Sequence, residues 1–284
     1  QYFYQEKLGS FYLSAIVDDF LSCAIDGEKR FLLFESPNIK NNKKNITFFQ
    51  LQVEKKKKKV ILNRPSFSGR PIYYHIKENG DFFCSTHINL LRKNGIEIKE
   101  NIDVLPEFFI YRYIIPPYTL YKNIFQLPAG EKIYIDYSGI KCNIKKRNRY
   151  QFPSNSKNIK KKDINKIIIE NISNSFENLD LNSDELTVLL SGGLDSSILY
   201  SIAQDIYKMK NSYSTGYPFE KEKMNIEQLY AESASSFFGT NHHYYSGSIS
   251  KYLFGLIEAI NIAEEPIHHL QSVMFNLLFK EGMP

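Results

Sequence analysis

Residues 187–197 read Thr-Val-Leu-Leu-Ser-Gly-Gly-Leu-Asp-Ser-Ser and join two different local patterns. The apolar residues at the start are typical of a short buried strand, which we predict over 186–190. Two glycines follow, and a helical pattern begins near Asp195. A strand that passes through a glycine turn into a helix is the first half of a unit that builds parallel sheets.

The glycine turn has the chemistry of an anion-binding site. Gly192 and Gly193 permit a tight turn that brings backbone amides close to a ligand. The start of the helix adds unpaired N–H groups and a partial positive charge. Asp195 would repel a bare phosphate, so we predict that Mg²⁺ bridges its carboxylate and the phosphates. No Gly-Lys-Ser/Thr follows, so this is not the Walker loop. Hydroxyl donors are predicted at Ser191, Ser196 and Ser197.

The segments around this turn alternate between strands and helices. Predicted strands cover 186–190, 211–216 and 243–245, and predicted helices cover 164–176, 197–208, 226–238, 251–262 and 270–279. This alternation predicts an α/β domain with a parallel sheet over 163–284.

Residues 1–150 have a different pattern, made of short β-like runs and turn signals. Runs at 46–53 and 60–62 flank the lysines at 55–59, which predicts a hairpin with the lysines at its exposed tip. We predict an α+β domain rich in antiparallel strands over 1–150. Residues 151–162 are polar and contain a proline, so we predict a linker there.

The composition excludes several classes of protein. With 43% hydrophobic and 24% charged residues the chain fits a globular protein. The net charge of +5 is concentrated in lysine runs typical of solvated turns, so no nucleic-acid partner is expected. Cys23, Cys84 and Cys142 form no CxxC pair, which argues against a zinc site and favours the reducing cytoplasm. No apolar stretch is long enough to cross a bilayer, so no membrane partner is expected.

The loop resembles the pyrophosphate loop of the N-type ATP pyrophosphatases, and Ser-Gly-Gly-Leu-Asp-Ser-Ser is its form in asparagine synthetases. The resemblance implies ATP and Mg²⁺ as cofactors, with residues 191–197, Leu194 included, around the phosphates. It implies that a small-molecule or peptide carboxylate is adenylated, with release of pyrophosphate, and that ammonia or an amine then forms the amide. It also implies adenine contacts at Leu190 and Thr215, and a substrate region at Glu265.

Residues 46–74 and 104–150 resemble parts of a class II glutamine amidotransferase domain. Such a glutaminase uses an N-terminal cysteine as nucleophile and its α-amine as base, whereas residue 1 is Gln1 and Cys23 is internal. The resemblance therefore implies an amidotransferase-like domain that has degenerated, and we predict that it does not hydrolyse glutamine.

The resemblance implies that a second loop, Ser-Gly-x-Gly-x-Asp-Glu, and the main catalytic residues lie beyond Pro284. We therefore expect an incomplete ATP pyrophosphatase-like domain that is inactive alone. The residues do not distinguish between an ammonia-using asparagine synthetase, a β-lactam synthetase and a lasso-peptide macrocyclase. A tRNA thiolase lacks support, since no RNA-binding module is visible. A non-catalytic nucleotide-binding relic is the alternative from another class. A homodimer is considered, but no pattern decides the oligomeric state.

Overall fold

The computed structural model divides into two units, Gln1–Asn155 and Ser156–Pro284. It describes backbone and side chains of residues 51–54, 56–66, 71–138, 160–177, 186–218 and 226–283, and backbone alone of 2–8, 11–17, 22–26, 29–33, 50 and 143–147. Predictions that fall on 34–49, 139–142 and 148–159, Cys142 and most of the linker among them, lie outside the described residues. The domain limits predicted from the sequence therefore stay a prediction.

The first unit is built from antiparallel strands, as predicted. The elements are β1 (Tyr2–Leu8), β2 (Phe11–Val17), β3 (Ser22–Asp26), β4 (Lys29–Leu33), β5 (Gln50–Glu54), β6 (Lys59–Asn63), β7 (Tyr73–Ile76), β8 (Phe82–Ser85), α1 (Ile88–Lys93), α2 (Leu105–Tyr111), β9 (Phe125–Gln126), β10 (Lys132–Asp136) and β11 (Asn143–Arg147). One sheet has the order β11-β10-β6-β5-β4-β3, a second has the order β8-β7-β9, and β1 pairs with β2. A 3₁₀ turn, Ile102–Val104, precedes α2.

The lysine hairpin forms as predicted. β5 and β6 pair antiparallel, and the lysines at 56–58 make the exposed turn between them. Lys58 takes a φ of 49°, the left-handed conformation that tight hairpin turns require. Leu51 and Val53 are buried together in the core of this unit. They share one face because side chains two residues apart on a strand point the same way. The start of the predicted run, including Phe48, lies outside the described residues.

The second unit contains a parallel sheet of three strands, as predicted. The elements are α3 (Ile164–Glu177), β12 (Val188–Leu189), α4 (Leu194–Tyr207), β13 (Asn211–Thr215), α5 (Ile226–Phe238), β14 (Asn241–Tyr245), α6 (Ile249–Ala263) and α7 (Gln271–Leu277). The strand order is β12-β13-β14. Helix α4 connects the first two strands and α5 connects the second to the third, since parallel neighbours need a crossover. A 3₁₀ turn, Lys161–Asp163, precedes α3, and a π-helical turn, Leu278–Gly282, follows α7.

Strand β12 is shorter than the predicted strand over 186–190. The amide of Leu190 still donates to the Tyr213 carbonyl at 2.9 Å. The next rung of a parallel ladder would join the Thr215 amide to the Leu190 carbonyl, and it is not among the bonds of the described residues. The two strands therefore separate at Leu190, where the chain enters the glycine turn.

Helix α4 begins at Leu194, earlier than the predicted start at residue 197. The residues at 195–197 thus lie in its first turn. The apolar side chains of α3 are only partly covered. Phe176 packs edge-on against Tyr207 of α4, but Ile164 and Ile168 are 40% and 48% exposed. Among the described helices, none combines the length and apolarity that a membrane crossing needs.

Candidate functional site

The glycine turn lies at the carboxyl end of β12, on the edge of the sheet where β13 and β14 also end. In open parallel α/β sheets, ligands bind outside this edge. The structure brings the 191–197 loop, Leu190 and Thr215 to this edge. The sequence had predicted these residues as one nucleotide site.

Gly192 is the point where the loop meets α5. Its φ is 73°, a conformation that side-chain-bearing residues rarely adopt. A Cβ at this position would lie 2.2 Å from the carbonyl carbon of Tyr230 and 2.7 Å from the amide nitrogen of Ala231. No side chain fits into that space. The sequence indicated a glycine for close approach to a ligand, and the structure shows that Gly192 is also required by the backbone of α5, which seats the loop.

The first turn of α4 presents backbone amides to the same edge. The first helical bond runs from the Ser197 amide to the Gly193 carbonyl, at 3.0 Å. The amides of Leu194, Asp195 and Ser196 precede this bond, and the N-cap residue Gly193 supplies no side-chain cap. Amides at a helix start carry a partial positive charge and bind anions. The start of α4 is therefore suited to hold phosphate oxygens.

The loop hydroxyls bond to one another and to the loop backbone. Ser191 Oγ lies 2.9 Å from Ser196 Oγ, and Ser196 Oγ donates to the Gly193 carbonyl at 3.1 Å. The Gly193 amide donates to Ser191 Oγ at 3.3 Å. These bonds hold the turn in its conformation. A ligand that accepts a hydrogen bond from either hydroxyl would replace one of them. Ser197, the third predicted donor, is half-buried.

Asp195 is exposed in the first turn of α4, so its carboxylate is accessible to a cation. Within the described part of the chain, no group of three or more His, Cys, Asp or Glu residues could hold a metal ion. Mg²⁺ does not need such a group, because it keeps several waters and binds through one or two carboxylates and the substrate phosphates. Asp195 therefore fits an ion that binds together with a nucleotide.

Leu190 and Thr215 have buried side chains, which limits how they could contact a base. Leu190 is 0% exposed and packs in a core cluster with Tyr200 of α4. The Thr215 hydroxyl donates to the Tyr245 carbonyl at 2.7 Å. Their amide and carbonyl groups at the separated rung are not bonded to each other, and the adenine contacts stay a prediction.

Comparison with known proteins identifies both parts of the chain. The family described as "Asparagine synthase" matches residues 175–281, and "Glutamine amidotransferase domain" matches residues 42–150. A Methanocaldococcus jannaschii protein named "Putative asparagine synthetase (glutamine-hydrolyzing) 2" is 28% identical over 197 residues, which cover 68% of this chain and 37% of that protein. Together these matches support an asparagine synthetase family member. It spans little more than a third of the length of this relative.

Glu265, the predicted substrate contact, lies just beyond the end of α6. The helix ends at Ala263, its C-cap residue Glu264 has a φ of 54°, and Glu265 is half-buried. Glu265 thus belongs to a different element from the loop, and its role stays a prediction.

The two histidines of the Gly-Thr-Asn-His-His segment make different contacts. His242 Nδ1 lies 2.9 Å from Ser212 Oγ, and its Nε2 lies 2.8 Å from Ser214 Oγ. The ring of His243 instead stacks on Tyr213, with centroids 4.9 Å apart. Adjacent residues of a strand point to opposite faces, which explains the difference. Both histidines lie in β14, and nothing in the sequence predicted the serine contacts.

Proposed function

We propose that this asparagine synthetase family member binds Mg²⁺-ATP at the 191–197 loop and takes part in ATP-dependent amide formation. The observation that supports this most is the uncapped start of α4, with its unpaired amides beside the exposed carboxylate of Asp195. The first-turn amides would hold phosphate oxygens, and Asp195 would hold the ion. Bound Mg²⁺ would neutralise charge on the phosphates.

The proposed reaction has two steps. A carboxylate oxygen of the substrate attacks the α-phosphorus of ATP, and the bond to the bridging oxygen breaks, so that pyrophosphate leaves with the electron pair. Ammonia or an amine then attacks the acyl carbon, AMP leaves with the C–O electron pair, and the nitrogen loses a proton. Negative charge grows on the pyrophosphate as its bond breaks. Hydrogen bonds from the amides of Leu194, Asp195 and Ser196 would stabilise that charge and so lower the barrier.

We assign the adenine contacts to the separated rung. The Thr215 amide is a donor and the Leu190 carbonyl is an acceptor, and both belong to the same missing backbone bond. Adenine presents the complementary pair, an amino group beside a ring nitrogen that accepts. Glu265 is the proposed contact for the second substrate. The carboxylate and the amine are to be identified by a substrate screen. The homodimer considered from the sequence is independent of this proposal.

Titration calorimetry with Mg²⁺-ATP is the first test. We expect saturable binding with one nucleotide per chain, because the loop is already folded around its donors. Because this chain is expected to be inactive alone, a screen for pyrophosphate release would follow on a protein that extends beyond Pro284, with amino-acid and peptide carboxylates and with ammonia or amines. Binding without release for any pair in that longer protein would support the nucleotide-binding relic instead. If the folded protein binds no Mg²⁺-ATP, the proposed function is wrong.

The nitrogen donor needs a separate test, because residues 42–150 match a glutamine amidotransferase domain. We propose that ammonia or an amine reacts directly and that the chain does not hydrolyse glutamine. Cys84 is the one cysteine whose side chain the structure describes. The residue is half-buried, and desolvation of its thiol raises its pKa to about 12. A thiol with this pKa is protonated near neutral pH and is a poor nucleophile. Release of glutamate from glutamine by the purified protein would contradict this proposal.

Cys84 should alkylate slowly in the folded protein. A thiol with a pKa of about 12 has a far smaller thiolate fraction than an ordinary cysteine, whose pKa is about 8.5. We expect iodoacetamide to modify Cys84 at least about a hundredfold more slowly in the native protein than after unfolding in urea. Peptide mapping by mass spectrometry separates Cys84 from the other two cysteines. Similar rates in both states would show that the thiol is not buried.

A further inference from the structure

Five polar side chains form a hydrogen-bonded network. They are His242 on β14, Ser212 and Ser214 on β13, Ser235 on α5, and Thr240 in the turn between α5 and β14. Besides His242, Ser212 Oγ contacts Ser235 Oγ at 3.3 Å and Thr240 Oγ1 at 3.1 Å. Ser235 Oγ donates to the Thr240 carbonyl at 2.9 Å, and Ser212 and Ser235 are 0% and 2% exposed. Ser214 completes the network on the other side of the ring. The network therefore ties α5 to two strands of the sheet.

A neutral imidazole suits this network. With the Ser212 hydroxyl donating to Ser235, His242 can donate from Nδ1 to Ser212 and accept at Nε2 from Ser214. A second proton would make both nitrogens donors, so the Ser214 hydrogen would have to turn away. It would also place a cation among buried groups.

Burial and the nearby charges act on the pKa of His242 in opposite senses, and burial has the larger effect. Burial lowers the pKa of His242, the carboxylate of Glu232 on α5 acts against this, and His243 on β14 adds to it. In the folded state the imidazole therefore binds a proton less readily than in the unfolded chain.

The network is one helical turn away from the seat of the loop. Ser235 follows Ala231 by four residues on α5, so both side chains lie on the same side of the helix. Ala231 is 0% exposed, and its amide borders the space that a Cβ on Gly192 would occupy. The bonds that hold Ser235 to the sheet thus also hold the backbone on which the loop rests.

We infer that His242 makes nucleotide binding at the 191–197 loop sensitive to pH, because a cationic ring would be unfavourable beside the buried groups that tie α5, and with it the loop, to the sheet. This inference rests on the proposed nucleotide site. It adds a means of regulation, in which acidification weakens binding.

The direction of the effect follows from proton linkage. A histidine that binds protons less readily when folded stabilises the fold above its unfolded pKa of about 6.5, and that stability is lost as the pH falls through this range. Coupling between two sites is reciprocal. Mg²⁺-ATP, which needs the seated loop, should therefore lower the pKa of His242 further.

The test compares Mg²⁺-ATP affinity at about pH 8 and about pH 5.5 for the wild type, His242→Gln and the control His243→Gln. Gln can donate and accept at one side chain but does not titrate in this range. Titration of the nucleotide phosphates is common to all three proteins. On acidification, we expect the wild type and His243→Gln to lose at least about threefold more affinity than His242→Gln. A threefold change in affinity corresponds to about half a pKa unit.

Equal losses in all three proteins would overturn the inference while leaving the nucleotide site intact. No binding by the wild type at the higher pH would overturn the proposed function and this inference together. If His242→Gln does not fold by circular dichroism, NMR titration of the wild-type His242 ring replaces it. A fall of at least about half a pKa unit when Mg²⁺-ATP is added would support the inference, and an unchanged pKa would overturn it.

Discussion

Replacing Gly192 by alanine is expected to destabilise the second unit by about 3–5 kcal/mol and to abolish Mg²⁺-ATP binding. The φ of 73° alone costs an alanine about 1–2 kcal/mol. The larger cost comes from the Cβ, which would lie 2.2 Å from the carbonyl carbon of Tyr230. Because this neighbour is helix backbone, only a shift of α5 or of the loop can relieve the overlap. Either shift moves the amides of α4 away from their present positions.

Gly239→Ala separates these two costs. Gly239 has a similar φ of 70°, but a Cβ there meets nothing within 4 Å. This control should lose only about 1–2 kcal/mol and should still bind nucleotide. Urea unfolding followed by circular dichroism measures the stability, and hydrogen exchange over residues 226–238 reports on α5 itself. Equal losses for the two variants would show that α5 does not seat the loop.

Asp195→Ala should weaken Mg²⁺-dependent ATP binding by at least about tenfold without destabilising the protein, since the carboxylate is exposed. The same substitution should leave binding of metal-free ATP unchanged or slightly tighter, because it removes a negative charge beside the phosphates. Calorimetry with and without EDTA distinguishes the two effects.

Asp205→Ala is the matched control for Asp195. Asp205 is also exposed and lies on α4, but near the opposite end of the helix. It should bind Mg²⁺-ATP like the wild type. If Asp195→Ala lost the same affinity with and without Mg²⁺, a metal-bridging role for this carboxylate would be wrong.

Local patterns were sufficient for the alternation of strands and helices in the second unit. Helix α5 spans Ile226–Phe238, the predicted range, and the turn after it marks its end. Strand β12 was predicted too long. Its apolar run continues to Leu190, but pairing depends on where β13 lies, and no residue in the run marks the point at which the strands separate.

Contacts between distant segments could not be predicted in this way. A glycine in a loop indicates conformational freedom, but the sequence does not reveal that the backbone at Tyr230 fills the space beside Gly192. The same holds for the serines around His242, since Ser, Thr and His are common in turns and strands alike. The buried side chains of Leu190 and Thr215 show the converse limit. A resemblance assigned these residues to a base, but both are buried and the Thr215 hydroxyl already donates to the Tyr245 carbonyl.

The seat of the loop on α5 has a consequence for the order in which the site is completed on the ribosome. The loop leaves the exit tunnel before β13, and the helix backbone that receives Gly192 leaves only after β13. Until residues 226–238 have emerged, the Ser-Gly-Gly-Leu-Asp-Ser-Ser segment has all of its own residues but no surface against which to adopt its turn. The nascent chain therefore acquires the phosphate-binding conformation late. That conformation requires the crossover through β13 and α5 to fold, and the Ser-Gly-Gly-Leu-Asp-Ser-Ser segment alone is not sufficient.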